Sequence, residues 1–418
     1  MAGKVGFSLM RILLIHNYYG SSAPSGENKV FEAERAMLEK HGHEVAVYMR
    51  RSDEIRNGNV IARLLGMIKG AACTVGNPFT ARAIAKKCRE FKPDVVHFHN
   101  TFPLISPLAV WAASKYAPVV MTLHNYRTVC AAGVPMRGGK VCSLCLDKKC
   151  AWDGVKHRCY RGGFLATLPL AMNITLYRKK LPRWVARFIA LSEFQKQKMA
   201  DVGLPKEKIV VKGNFVFRQN SQDLQDWNAH NTVNLVNPAQ EKKGQIVYVG
   251  RLSPEKGVPT LLDAWRMIGN ETGCKLLLIG DGDFRNEYEK SSYGMNVEFL
   301  GQMPNEQVRS VIATAKVLVL PSECWEGMPM TILESFAEGT PCVVSNLGAL
   351  PEYVRNGELG EVFEAGNAES LAAAIKRLLS RSDYAEVCAA AKLEAETKYS
   401  EEANYKMLMK IYYGECDD

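Results

Sequence analysis

The chain has 418 residues, enough for two or three domains. Its 47% hydrophobic and 23% charged residues match a soluble globular protein, and no run of 18 apolar residues offers a membrane-spanning helix. The net charge of +9 is unevenly spread: 34 basic and 14 acidic residues up to Val216 give +20, whereas 19 and 30 beyond it give −11.

Such a split suits the first half to an anionic surface or substrate. It carries no recognised nucleic-acid reader motif, so no nucleic-acid partner is expected. Residues 1–9 lack the apolar core of a secretion signal. With twelve cysteines, that points to a reducing, cytoplasmic compartment.

Arg11-Ile12-Leu13-Leu14-Ile15-His16 reads as a buried parallel strand. The loop Asn17 to Gly26 follows, and its small residues allow a ligand to approach the backbone. It lacks GxGxxG, which argues against a dinucleotide. A helix with an apolar stripe (Val30, Phe31, Ala33, Ala36, Met37, Leu38) and the strand Glu44 to Tyr48 complete a β-loop-α-β unit. Two further strands end in polar residues, Asp94 to Asn100 and Val119 to Asn125. His99, Asn100 and His124 thus stand where buried strands emerge, as candidate site residues or as structural hydrogen-bonding groups.

Residues 128–162 break the α/β rhythm. Cys130, Cys142, Cys145, Cys150 and Cys159 are spaced C-x11-C-x2-C-x4-C-x8-C in a Gly- and Lys-rich stretch. With little apolar content, the stretch needs a staple. A structural Zn²⁺ on these thiolates is one candidate, a disulfide or redox pair another, and unliganded thiols a third. Gly163 to Leu181 is apolar, then basic at Arg178-Lys179-Lys180, with Arg183 and Arg187 beyond. It suits either an interfacial helix on anionic lipid or a core helix with a solvated end. Ser192 is placed to cap a helix from Glu193 to Val202.

The polar stretch 218–244 reads as a linker, and a second α/β series starts at Gln245. The strand Ile246 to Gly250 runs into Arg251-Leu252-Ser253-Pro254-Glu255-Lys256-Gly257 and a helix. A guanidinium fork and an ammonium beside a helix start suit a diphosphate. The next strand, Lys275 to Ile279, ends in Gly280-Asp281-Gly282, again small enough for close backbone approach. Later, the strand Val317 to Leu320 ends at Pro321-Ser322. Glu326 and Glu334 then flank the start of a helix from Met330 to Ala337. Ligands of open α/β sheets bind at that end of the strands, where helix N–H groups meet phosphate and carboxylates accept from hydroxyls.

Together, Val249-Gly250-Arg251-Leu252, Lys256-Gly257, Gly280-Asp281-Gly282, Gly301, Pro321-Ser322, Glu326-x7-Glu334 and Gly339-Thr340-Pro341 resemble the family 4 retaining glycosyltransferases, also called group 1 glycosyl transferases. In the first half, Ser25-Gly26-Glu27, His97-x-His99, His124-Asn125 and the cysteine insert are similar to bacterial surface-polysaccharide members.

The resemblance implies an α/β, GT-B fold of two Rossmann-like domains facing each other across a cleft. Residues 1–217 would form the acceptor-binding domain with its insert at 128–162. The linker at 218–244 and the nucleotide-sugar-binding domain at 245–395 would follow, and residues 396–418 would form a C-terminal helix packing back toward the first domain. On the donor side it implies Gly26, Gly250, Arg251, Lys256, Gly280, Asp281, Met303, Glu326, Gly327, Met328, Met330, Leu333 and Glu334. Arg251 and Lys256 would hold the diphosphate, Glu334 the ribose, Glu326 the donor sugar, and Met303 would lie near the base. His124 would stand near the reacting sugar, with His99 and Asn100 on the acceptor side. Many members carry Gly-Phe-Gly where this chain has Gly327-Met328-Pro329, and proline removes one N–H donor.

The implied reaction transfers a hexose from a UDP- or GDP-sugar, with retention, to a saccharide or polyprenyl-diphosphate-linked acceptor. The enzyme would sit peripherally at the inner face of the cytoplasmic membrane, serving lipopolysaccharide or exopolysaccharide synthesis. No Asp-x-Asp clamp stands beside the expected diphosphate, so catalysis is expected to need no metal cofactor. Two alternatives are another GT-B enzyme, such as a sugar-nucleotide epimerase, and a non-catalytic sugar-nucleotide-binding module.

Overall fold

Short runs of Val, Ile and Leu without polar alternation form strands buried on both faces, which is the pattern of parallel sheets. In the computed structural model, which describes residues 7–20, 26–56, 58–216 and 242–415, these runs make two six-stranded parallel sheets. The chain divides into two compact units. One comprises the chain up to Pro135, Cys142–Gly213 and the chain from Asn404 on; the other comprises Met136–Val141 and Asn214–Ala403.

The first unit contains β1 (Arg11–Tyr18), β2 (Glu44–Arg51), β3 (Val95–Asn100) and β4 (Val119–Thr122). A short antiparallel hairpin, β5 (Met136–Arg137) with β6 (Lys140–Val141), is grouped with the second unit. Back in the first unit, β7 (Arg187–Ala190) and β8 (Ile209–Val211) complete a sheet in the order β2-β1-β3-β4-β7-β8. Strand β1 is longer than its apolar run suggests, because Asn17 is buried and fully used. Its amide donates to the Tyr18 carbonyl and Ser52 Oγ, and its Oδ1 accepts from Leu104 N. The register of β1 on β3 shifts between Ile15 and His16, which are paired with Phe98 and Asn100. His99 is therefore the extra residue of a bulge, a device that re-aims a side chain at a strand end.

The second unit contains β9 (Gln245–Val249), β10 (Lys275–Ile279), β11 (Val297–Gly301), β12 (Val317–Leu320), β13 (Cys342–Ser345) and β14 (Gly360–Phe363), in the order β11-β10-β9-β12-β13-β14. Its core joins β9, β10 and β12 to the helices Val258–Ile268 and Ala368–Leu379 around the buried Trp265. The strand order reverses direction between β9 and β12, which creates a switch point at their carboxyl ends.

The insert departs from expectation. It orders itself by burial after all: Ala131, Ala151 and Val155 pack with Leu170, Ala171 and Ile174 of the helix Phe164–Tyr177. The sparse apolar residues of the insert suffice because that helix, outside the insert, supplies the rest of the cluster. Ser192 caps Glu193–Asp201, accepting from Gln195 N. Residues 218–241 of the expected linker lie outside the described residues, as do residues 21–25 of the loop before Gly26.

Candidate functional site

The carboxyl ends of β9 and β12 place their loops side by side. Gly257 has φ of +69°, and a Cβ there would stand 1.8 Å from the Pro321 carbonyl oxygen; only glycine permits that approach. Gly280 has φ of +135°, and its Cβ would lie 1.9 Å from the Gly250 carbonyl oxygen. The loop after β10 is thereby held against the loop after β9, with Leu252 N donating to the Asp281 carbonyl.

Lys256, after β9, meets Glu326, after β12, at 2.6 Å across the switch point. Ser322 Oγ donates to the same Glu326 oxygen at 2.7 Å. Burial alone would raise the Glu326 pKa, but the Lys256 ammonium and the Ser322 hydroxyl hold it below the usual carboxylate range. Burial likewise pulls Lys256 down, and the Glu326 carboxylate more than restores it, so both groups are charged. Arg251 is mostly exposed and makes a surface bridge to Glu255 at 3.0 Å. Such a pair is weak, so its guanidinium is available to an anion. Glu334 is buried on the helix Met330–Ala337.

The geometry therefore brings Gly250, Arg251, Lys256, Gly280, Asp281, Glu326 and Gly327 to one edge of one sheet. Met303 is half-buried beyond β11, and Met330 opens the helix that carries Glu334. Leu333, on the same helix, has its side chain fully buried in the interior. Gly26 lies in the first unit, where it opens the helix Gly26–Lys40.

In the first unit the histidines come together. His99 Nδ1 lies 3.1 Å from His124 Nε2, and His99 Nε2 lies 3.4 Å from Glu34 Oε2. Glu34, at the centre of its helix, is buried and paired with Lys212 at 2.7 Å. His97 bonds Thr122 Oγ1 and Tyr412 OH, each at 2.8 Å. His16 bonds Asn28 at 2.8 Å. Burial lowers His16 to about 4 and His124 to about 3, and pushes His97 and His99 well below the ordinary value. His99, Asn100 and His124 line a pocket with Arg127, Asn173 and Tyr177.

Two family models match successive parts of the chain. Residues 26–217 match Glycosyltransferase Family 4, and residues 234–395 match Glycosyl transferases group 1. The chain belongs to the family 4 glycosyltransferases. Among curated relatives, the amylovoran biosynthesis glycosyltransferase AmsK of Erwinia amylovora is 26% identical over 56% of this chain and 58% of its own length. This chain spans about half the length of the first such relatives. TuaC of Bacillus subtilis, a glycosyltransferase named for teichuronic acid biosynthesis, is 24% identical over 88% of this chain and 89% of its own. Among solved structures, Anabaena Alr3699/HepE in complex with UDP and glucose superposes with a TM-score of 0.60 at 16% identity, covering 97% of this chain and 100% of that one. That likeness concerns the fold.

As a family 4 glycosyltransferase the chain departs from the usual Gly-Phe-Gly with a buried Met328. Its Sδ lies 3.0 Å from Asn214 N, and its carbonyl accepts from the Asn214 amide at 3.3 Å. Pro329 takes the position just before the helix. Zinc is one of the three candidates for Cys130, Cys142, Cys145, Cys150 and Cys159, and the structure describes the positions of these thiols. None of the five forms a disulfide, and they make no group of three ligand atoms within 4.8 Å. Among the described residues such a group exists only at Glu34, His97 and His99. Glu34, Lys212 and His16 are the site residues that sequence reasoning missed. Their signal was slight: one acidic residue inside an apolar helix stripe, and one lysine just after a strand.

Proposed function

We propose that this chain is a retaining glycosyltransferase. It moves a hexose from a UDP- or GDP-sugar to a saccharide carried on polyprenyl diphosphate, in cell-surface polysaccharide synthesis. The observation that carries this reading is the Lys256–Glu326 pair across the β9/β12 switch point, with Arg251 beside it. Breaking a sugar–phosphate bond leaves negative charge on the departing diphosphate. Cations fixed in a partly buried site favour that charge without reorganising. In this reading Lys256 shares its charge between Glu326 and the diphosphate, Glu326 faces the donor sugar, and Glu334 accepts from the ribose. The HepE complex with UDP and glucose supports a uridine donor. Retention follows from attack on the leaving-group face, with the donor phosphate assisting removal of the acceptor proton.

The membrane-side acceptor is supported by an apolar surface on the first unit. The helix Val60–Val75 has no acidic residue and exposes Val60 (82%), Ile61, Leu64, Leu65 and Ile68. It packs on the helix Phe164–Tyr177 through a bond from Asn173 to the Thr74 carbonyl, and that helix exposes Phe164 and Leu165. Arg63, Lys69 and Arg178-Lys179-Lys180 add positive charge. Apolar residues interspersed with cations suit an anionic bilayer surface. No helix among the described residues is long and apolar enough to cross a membrane.

The test is product analysis with UDP- and GDP-hexoses and a polyprenyl-diphosphate disaccharide. An extended saccharide with the donor's anomeric configuration is the expected product. An inverted linkage overturns the retaining assignment, and an epimerised donor without transfer overturns the reaction class.

A further inference from the structure

The buried chain Lys212–Glu34–His99–His124 has a direction, and it ends in the pocket of the first unit. Lys212 donates to Glu34 Oε1 at 2.7 Å and to Asn404 Oδ1 at 3.0 Å, which fixes its ammonium inside the protein. The other carboxylate oxygen, Oε2, faces His99 Nε2 at 3.4 Å. Both of these atoms are buried without a hydrogen-bond partner among the described residues; Oε2 lies farther, 3.8 Å, from His97 Nδ1, which Tyr412 OH engages. If His99 presented a lone pair there, two acceptors would repel each other in a dry site; a proton on Nε2 turns the contact into an attraction. A neutral His99 protonated on Nε2 keeps its lone pair on Nδ1, which must then accept. The group facing it is His124 Nε2 at 3.1 Å.

We infer that Glu34 and Lys212 are positioning residues that fix the tautomer of His124, so that it carries its proton on Nε2 and offers a lone pair at Nδ1. No metal is needed to organise the cluster. The Lys212 ammonium already supplies a cation to Glu34, and both nitrogens of His97 are engaged by Tyr412 and Thr122. Burial keeps His99 and His124 neutral at pH 7, so each has one defined tautomer. The β3 bulge at His99 brings the ring into line with both Glu34 and His124. The catalytic meaning of this chain rests on the proposed glycosyl transfer; the tautomer does not.

Glu34→Gln gives a directional test. Lys212 requires an acceptor, so the carbonyl of the substituted side chain turns toward it and the amide NH₂ faces His99 Nε2. That nitrogen must then accept, which moves the His99 proton to Nδ1 and the His124 proton to Nδ1. Long-range ¹H–¹⁵N correlation on the full chain labelled with ¹⁵N-histidine reads this directly, with His124 assigned by its loss in His124→Gln. The wild type is expected to show His124 as the Nε2–H tautomer, and Glu34→Gln to convert it to Nδ1–H. With transfer confirmed, kcat is expected to fall at least tenfold in Glu34→Gln, with KM for the donor changed less than threefold. An Nδ1–H tautomer of His124 in the wild type overturns the proposal without any variant, as does an unchanged tautomer in folded Glu34→Gln. A wild type with the expected tautomers but no transfer overturns the glycosyltransferase reading alone.

Discussion

Lys256 and Glu326 face each other across a gap closed by glycines, and each position can be probed separately. Lys256→Met removes the ammonium that the proposed diphosphate needs. The kcat/KM for transfer is expected to fall by about 10²–10³, the usual cost of losing one charge-stabilising donor; a loss below threefold would contradict the role. Gly280→Ala is expected to cost about 2–4 kcal/mol, because a Cβ meets the Gly250 carbonyl at 1.9 Å in a positive-φ conformation. Gly294 has a φ of +79° but open space around it, so Gly294→Ala should cost only about 1 kcal/mol. Chemical denaturation of the two variants compares them, and equal losses would mean that the close approach of the β9 and β10 loops is not what holds that edge.

At the scale of elements, the helix Val60–Val75 makes the sharpest claim. Leu64 and Ile68 are exposed, so Leu64→Glu with Ile68→Glu should leave thermal stability within about 1 kcal/mol. The same pair is expected to reduce sedimentation with vesicles of anionic phospholipid at least tenfold. Unchanged sedimentation would contradict the proposed membrane contact of this helix. The strands were legible in the sequence because each parallel strand is a short continuous apolar run, as in Val317 to Leu320. The helix Val60–Val75 was not, since apolar residues around its whole circumference give no face to assign. The candidate site of the second unit was legible as a cluster because its residues lie within short loops: Arg251 to Gly257, and Ser322 to Glu334. The histidine network was legible only in part. Glu34 and Lys212 are 178 positions apart, and it is the packing of the helix Gly26–Lys40 near the sheet that brings them together. Leu333, a motif position next to Glu334, turns inward because the helix needs an apolar face.

At the scale of the whole molecule, the histidine network couples the stability of the first unit to pH. In the native state burial lowers His16 to about 4 and His124 to about 3 and holds His97 and His99 well below the ordinary value, whereas an unfolded chain protonates all four near 6.5. The unfolded state therefore binds more protons below that pH. Their contribution is complete above about 6.5 and is lost as pH falls, by on the order of 1.4 kcal/mol per pH unit for each histidine. Thermal unfolding of the first unit is expected to shift downward steadily from pH 7 to pH 5, and a flat profile would contradict the buried neutral cluster. Whether a diphosphate is held at the switch point of the second unit is decided by calorimetry with UDP, GDP and their nucleosides on wild type and Lys256→Met. The expected result is that one diphosphate binds the wild type and loses at least tenfold in affinity in Lys256→Met, while any binding of its nucleoside is unchanged. Equal affinity of the diphosphate for both proteins, or no binding of either diphosphate by folded wild type, would contradict it.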